Sequence, residues 1–273
     1  MGANMKALRS RIKSVESTQH LVKAMGLVAS SKIRRASDAM SHSRQYKEAV
    51  QDITGLLADS PECRRSAYMR QTKQDDAVKL VVIAGDRGLA GGYNSNVFRL
   101  ADSLPASSVI PIGKRAADRY GSRSSLSFSA EHMTRQECAV LAEQLCKGFI
   151  QGEYGKLGIV YTKYVSMLTQ EANILWILPL TPNESSKKEQ TAVLFEPDAA
   201  SVLDTAVYEY VCGMLYAAVR ESFACEVAAR RNAMDAASKN AKKMTDDLTL
   251  QYNRARQSTI TQEITEIVAG SGA

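Results

Sequence analysis

Neither end of this chain contains anything that would stop a helix. From Lys6 to Leu57 there is no proline, and the interior glycines are Gly26 and Gly55. From Ala199 to Val268 there is again no proline and one glycine, Gly213. In the first stretch Leu8, Ile12, Val15, Gln19, Val22, Gly26, Ala29, Ile33, Ala36 and Met40 alternate spacings of four and three, which is the heptad seam of a coiled coil. Gln19 and Gly26 interrupt its apolar character, and Ala29 and Ala36 make it thin. Met234, Ala237, Ala241, Met244 and Leu248 repeat the spacing near the other end. At 1.5 Å per residue, roughly fifty residues reach about 75 Å, more than a compact domain of this size needs. Two such helices at opposite ends predict an antiparallel coiled coil, with everything between them inserted.

The insertion has an α/β pattern. Strands are expected at Val78–Ala84, Val109–Ile112, Lys156–Val165 and Ala172–Leu180, with a last one at Thr191–Phe195. Helices are expected at Lys114–Tyr120 and Thr134–Gly152. Strands alternating with helices imply a partly parallel sheet with right-handed crossovers. Pro61 and the polar run QTKQDD (71–76) read as an exposed connection, and TPNESSKKEQ (181–190) as a surface loop. The expected division is 1–57, N-terminal coiled-coil helix; 58–76, linker; 77–197, α/β domain; 198–273, C-terminal coiled-coil helix.

The charge is uneven. The whole chain carries +6, while residues 1–50 hold ten bases against three acids, a net +7. Such a helix wants an acidic partner: a carboxylate-rich protein, nucleic acid or an anionic membrane surface. The five cysteines, Cys63, Cys138, Cys146, Cys212 and Cys225, form no CxxC pair. They suit a reducing compartment, and most of them read as buried thiols. The N-terminus is polar and basic, without the apolar core of a signal peptide. No run of about 18 apolar residues suits a membrane span.

Chemistry is sparse. The run GDRGLAGGYNSN (Gly85–Asn96) follows a strand, and its glycines would free backbone N–H groups to face a phosphate. It is neither GxGxxG nor a P-loop ending in GK[ST], and the plainer reading is a strand-to-helix turn packed tightly against something. His20, His42 and His132 are scattered, so no metal site is expected; no GxSxG elbow appears. Asp75 and Asp76 read as a solvated cap, Asp246 and Asp247 as a helix surface. Tyr161, Tyr164 and Trp176 lie in alternating strand patterns and read as core rather than as base-stacking groups. No catalytic set, cofactor site or metal site emerges. The run Tyr252–Val268 stands apart: Arg254, Arg256, Gln257, Thr261, Gln262, Glu263 and Glu266 accompany Ile260, Ile264, Ile267 and Val268. Its polar face suits directional hydrogen bonds with a partner.

Three stretches carry a resemblance: IKSVESTQHLVKAMGLVASSKIRRA (Ile12–Ala36), GDRGLAGGYN (Gly85–Asn94) and AMDAASKNAKKMTDDLTLQYNRARQSTITQEITEIVAG (Ala233–Gly270). On these the chain resembles the gamma subunit of bacterial F-type ATP synthases over nearly its whole length. The resemblance implies an α/β fold class in which long N- and C-terminal helices form an antiparallel coiled coil around an inserted Rossmann-like domain. It implies a non-catalytic rotor, one copy per complex, without cofactor of its own. Its partners would be a hexamer of alpha and beta subunits, an epsilon subunit and a ring of c subunits, placing it peripherally on the cytoplasmic side of the inner (plasma) membrane. Carried over residue by residue, Lys23, Met25, Lys32, Arg230, Arg256, Gln257, Thr261 and Glu263 would contact the hexamer. Arg34, Arg35, Tyr208 and Glu209 would lie at the foot, near the c ring and epsilon. Gly26, His20 and Ala90 depart from the family pattern; Gly26 implies a local bend or close packing in the helix. Two other classes stay open: a nucleic-acid binder using the basic N-terminal helix, and a nucleotide-dependent enzyme using the Gly85–Gly92 turn.

Overall fold

A computed structural model describes residues 2–70, 77–121, 128–181 and 195–271, with side chains from residue 5 onward. The polar run 71–76, most of the loop at 181–190 and the strand expected at 191–195 lie outside the described residues, except for Thr181 and Phe195. The order of elements is α1 (Gly2–Asp59), two 3-10 turns (Pro61–Arg65 and Ala67–Met69), β1 (Val78–Ile83), α2 (Tyr93–Asp102), β2 (Ser108–Ile112), α3 (Lys114–Tyr120), α4 (Arg135–Ile150), β3 (Lys156–Tyr164), β4 (Gln170–Leu178) and α5 (Ala199–Gly270). The chain divides into two compact units: residues 1–30 with 230–273, and residues 31–229.

The larger unit is built on a sheet ordered β2-β1-β3-β4. β1 runs parallel to β2 and to β3, and β3 runs antiparallel to β4, so the expected mixed sheet is present. One face buries Val81, Ile83, Ile159 and Ile177 against α4 (Leu141, Leu145, Phe149) and α5 (Leu203, Val207, Val211, Leu215). The other buries Leu80, Val82 and Val160 against Val97 and Ala101 of α2. Each fully buried large apolar side chain contributes about 1.5–3 kcal/mol. α4 starts where its sequence says it should: the Thr134 hydroxyl accepts from the Glu137 N–H at 3.2 Å, and the Glu137 carboxylate accepts from the Thr134 N–H at 2.7 Å. Such a capping box is worth about 0.5–2 kcal/mol. Along the helices, Ala36 and Met40 pack with Ala224, while Tyr46 lies beside Gly213. Rising numbers on α1 meet falling numbers on α5, so the pair is antiparallel.

Four expectations need correction. The strand-to-helix turn read at Gly85–Asn96 does open a helix, but α2 itself was not among the expected helices; its Tyr93, Val97 and Ala101 share one buried stripe. Residues 61–69 are not an exposed connection: Cys63 and Tyr68 are buried, Tyr68 stacks on Phe149 with centroids 6.1 Å apart, and its carbonyl accepts from the Leu180 N–H at 2.8 Å. Trp176 is not core. It stays 37% exposed, its ring lying across Gly158, where a Cβ would come within 2.9 Å, with the Lys156 ammonium 3.7 Å from its centroid. The fourth concerns the seam of α5: Met244 is 45% exposed, and the half-buried positions pass through Thr245 instead. A step of four from Ala241 keeps the stripe on one face, where a step of three drifts off it.

In the smaller unit, residues 5–30 of α1 and 230–259 of α5 bury facing stripes. Leu8, Ile12, Val15, Gln19, Val22 and Gly26 are half-buried and Ala29 is buried. Opposite them stand Met234, Ala241, Leu248, Tyr252, Ala255 and Thr259. Gly26 faces Met234; stepping outward one residue for one, Met5 falls opposite Ala255. Every described residue from Ile260 onward is exposed.

Gly26 brings close packing without a break in α1. A Cβ there would sit 3.5 Å from the Met234 Cβ, an ordinary contact. Gly26→Ala is therefore expected to stabilise the coil by about 0.5–1 kcal/mol, read as a higher melting temperature by circular dichroism. An unchanged or lower value would show that the seam has no room for a methyl group.

Candidate functional site

The glycine-rich turn after β1 is packed, as its plainer reading expects, and α5 is what it packs against. The Gly85 N–H donates to Asn94 Oδ1 at 2.9 Å. Ala90 and Tyr93 bury against Cys225, and the Tyr93 hydroxyl donates to the Ser222 carbonyl at 3.0 Å. A Cβ on Gly85 would lie 2.8 Å from Cδ of Glu226 and 3.0 Å from both its oxygens. In open α/β sheets, ligands enter the crevice at the carboxyl ends of strands where the crossovers diverge. Here that place is beyond β1, between its neighbours β2 and β3, and α5 fills it. A carboxylate stands where a phosphate would have to approach, so the cradle reading of Gly85–Gly92 is set aside.

α5 also completes the hydrogen bonding of β3 past the end of β1. Thr162 N–H donates to Ser222 Oγ at 3.1 Å, and Tyr164 N–H donates to Glu221 Oε1 at 3.0 Å. The Cys225 thiol donates to the Thr162 carbonyl at 3.4 Å, and Arg44 of α1 reaches Glu221 at 3.3 Å. A buried donor left without its acceptor costs about 1–3 kcal/mol, so these side chains stand in for a missing strand.

Asp86, in the same turn, gathers three loops. It accepts from the N–H groups of Lys114 (3.0 Å), Ala130 (3.2 Å) and Glu131 (2.9 Å) and from the Ser129 hydroxyl (2.7 Å). Partial burial pushes its carboxyl up, but the four donors together outweigh burial and leave its pKa below the ordinary carboxylate value. All five cysteines are buried; burial raises Cys138 to about 12 and Cys146 to about 11, so these two stay protonated at neutral pH. Among the described residues no group of three or more His, Cys, Asp or Glu side chains could hold a metal ion. One shallow groove of about 230 Å³ is lined by Gln51, Thr54, Ala58, Trp176, Leu180 and Tyr210, among others. It assembles no acid–base pair.

The residues singled out by resemblance fall into two kinds. Lys23, Arg34, Arg35, Arg256, Gln257, Thr261 and Glu263 are exposed, as are Ile260 (45%), Ile264 (55%), Ile267 (70%) and Val268 (65%) beside the last four. Met25 and Arg230 are half-buried. Lys32, Tyr208 and Glu209 are tied to named groups inside the chain. Lys32 pairs with Glu131, which Arg87 also approaches at 4.0 Å. The Tyr208 hydroxyl donates to the Ala139 carbonyl at 3.0 Å, and Glu209 accepts from Arg135 at 2.9 Å and from Tyr46 at 3.0 Å. Glu221, Ser222 and Glu226 escaped sequence reading, because acids and serines in a long helix look like its wet face.

The ATP synthase family model matches residues 4–273. An ATP synthase gamma chain from Ruminococcus albus is 40% identical over 282 aligned positions, covering 98% of both chains. The chain belongs to the ATP synthase gamma-chain family. A second gamma chain, from Xanthomonas oryzae pv. oryzae, is 35% identical over 285 positions and 99% of both chains. In fold the chain is similar to a chain from the rotor of the Euglena gracilis mitochondrial ATP synthase in rotational state 1. The TM-score is 0.67 at 19% identity, over 95% of this chain and all of that one. The stretches that carry the gamma-chain resemblance take in the facing parts of α1 and α5, the exposed last turns of α5 and the turn that α5 packs against.

Gly85→Ala is expected to lower stability by about 1–3 kcal/mol, since the added methyl meets the buried end of Glu226. A chemical denaturation midpoint equal to that of the parent would refute the contact. Asp86 gives a pH prediction. Its depressed folded-state pKa contributes stability that is present above the unfolded value, near 3.8, and lost as pH falls through the folded value. Asp86→Asn should lower the melting temperature at pH 7 and narrow its gap to the parent as pH falls below about 4. A gap independent of pH would sink this assignment.

Proposed function

We propose that this chain is the central-stalk rotor of an F-type ATP synthase, coupling rotation of a membrane ring of c subunits to the conformational cycle of catalytic beta subunits. The observation that carries the reading is the gamma-chain match over nearly the full length, in a chain whose two ends are continuous helices. In this role the chain makes and breaks no bonds itself. It is present as one copy per complex and held at the cytoplasmic face of the membrane by its partners, epsilon among them. We keep the four-part division as a working scheme, with 1–57 and 198–273 as the shaft, 58–76 as a connector and 77–197 as the inserted domain.

The physical features support this scheme. Lys23, Met25, Lys32, Arg230, Arg256, Gln257, Thr261 and Glu263 are assigned to the alpha/beta hexamer. The last four turns of α5 combine directional polar groups with bare isoleucines, a pairing suited to a surface that is gripped and released. Lys32 would exchange its internal partner Glu131 for an external carboxylate. Arg34, Arg35, Tyr208 and Glu209 are assigned to the foot; the internal bonds of Tyr208 and Glu209 would orient them for it. α5 contains one window apolar enough to cross a membrane by length and composition alone, but 61% of that window is buried in the protein, as in a core helix.

Mixed with alpha and beta subunits, the chain should co-purify at one copy per hexamer; a hexamer that excludes it would overturn the proposal. Arg256→Ala should weaken ATP-driven rotation or assembly about tenfold, the effect of removing a charged hydrogen bond. A chain ended after Tyr252 should lose assembly while the near-UV circular dichroism of residues 31–229 is kept, because that unit is complete without the removed turns.

A further inference from the structure

Between Glu221 and Glu226 a core helix turns polar. Within six residues Glu221 is 6% exposed, Ser222 0%, Cys225 0% and Glu226 2%, on a stretch otherwise buried among apolar groups. Three of the bonds they make end on main-chain groups of β3. Ser222 Oγ and Glu221 Oε1 take the amides of Thr162 and Tyr164, Cys225 reaches the Thr162 carbonyl, Tyr93 reaches the Ser222 carbonyl, and Glu226 abuts Gly85. Apolar contact is non-directional; it resists turning of the helix about its own axis only through the fit of its side chains. Hydrogen bonds to backbone groups weaken steeply with angle, and a backbone group cannot follow a turning helix by changing rotamer. The polar stretch therefore fixes the azimuth of α5. Arg44 adds α1 to the same anchor through Glu221.

We propose that Glu221–Glu226 is a torque joint, the place where twisting of the sheet is handed to α5, with Glu221 and Ser222 as positioning residues. This rests on the rotor reading above. The alternative is that these bonds only satisfy buried amides; that role would alter stability and leave coupling untouched.

The test uses the complete membrane-embedded complex in vesicles, measuring ATP hydrolysis and ATP-driven ion uptake on the same preparation. The double variant Glu221→Ala/Ser222→Ala should hydrolyse ATP near the parental rate, with ions moved per ATP reduced about threefold or more. Glu221→Gln should keep the parental ratio, because its amide oxygen still accepts from Tyr164. Where the double variant fails to assemble, Ser222→Ala, which deletes one oxygen, should show the same loss of ratio in smaller degree. A parental chain absent from the complex overturns the rotor reading and the joint with it. A coupled parent beside equally coupled variants, or hydrolysis and uptake falling in proportion, overturns the joint alone.

Discussion

The structure depends on a debt of burial between distant parts of the chain. One face of the sheet is covered by α5, whose side chains from Leu203 to Ala228 are mostly buried. β1 is formed by residue 83, yet Val81 and Ile83 share a core with Val207 and Val211, more than a hundred positions later. The other face is closed by α2, but this one is not buried without α5. The larger unit accordingly takes in residues 31–229, wider than an insertion bounded by its own strands.

Much of the fold was legible because its signals are local. Val78–Ile83, Ser108–Ile112 and Lys114–Tyr120 carry short apolar runs or helical spacing between breakers, and Thr134 with Glu137 announces α4 by chemistry that acts over three residues. The heptad seam of α1 was legible for the same reason, being a periodicity. What failed depended on neighbours far away. Trp176 alternates like a core residue, but its ring finds room only because position 158 lacks a side chain. Met244 fits a heptad counted from Ala237, and the drift of a straight helix turns it outward.

The site divides along the same line. The run that holds Arg256, Gln257, Thr261 and Glu263 stood out by its polar face, while the choice of these four came from the gamma-chain resemblance. Glu221, Ser222 and Glu226 did not, since only the arrival of β3 and Gly85 shows that they face inward. A polar residue in a helix is ambiguous until its surroundings are known, and here the buried ones replace a strand.

The last turns of α5 carry a cost that has nothing to do with motion. Ile260, Ile264, Ile267 and Val268 are uncovered there. A chain released alone displays them to everything around it. They are the kind of surface that chaperones hold and that proteases sample in unassembled subunits. While that tip is bare, the chain is open to both.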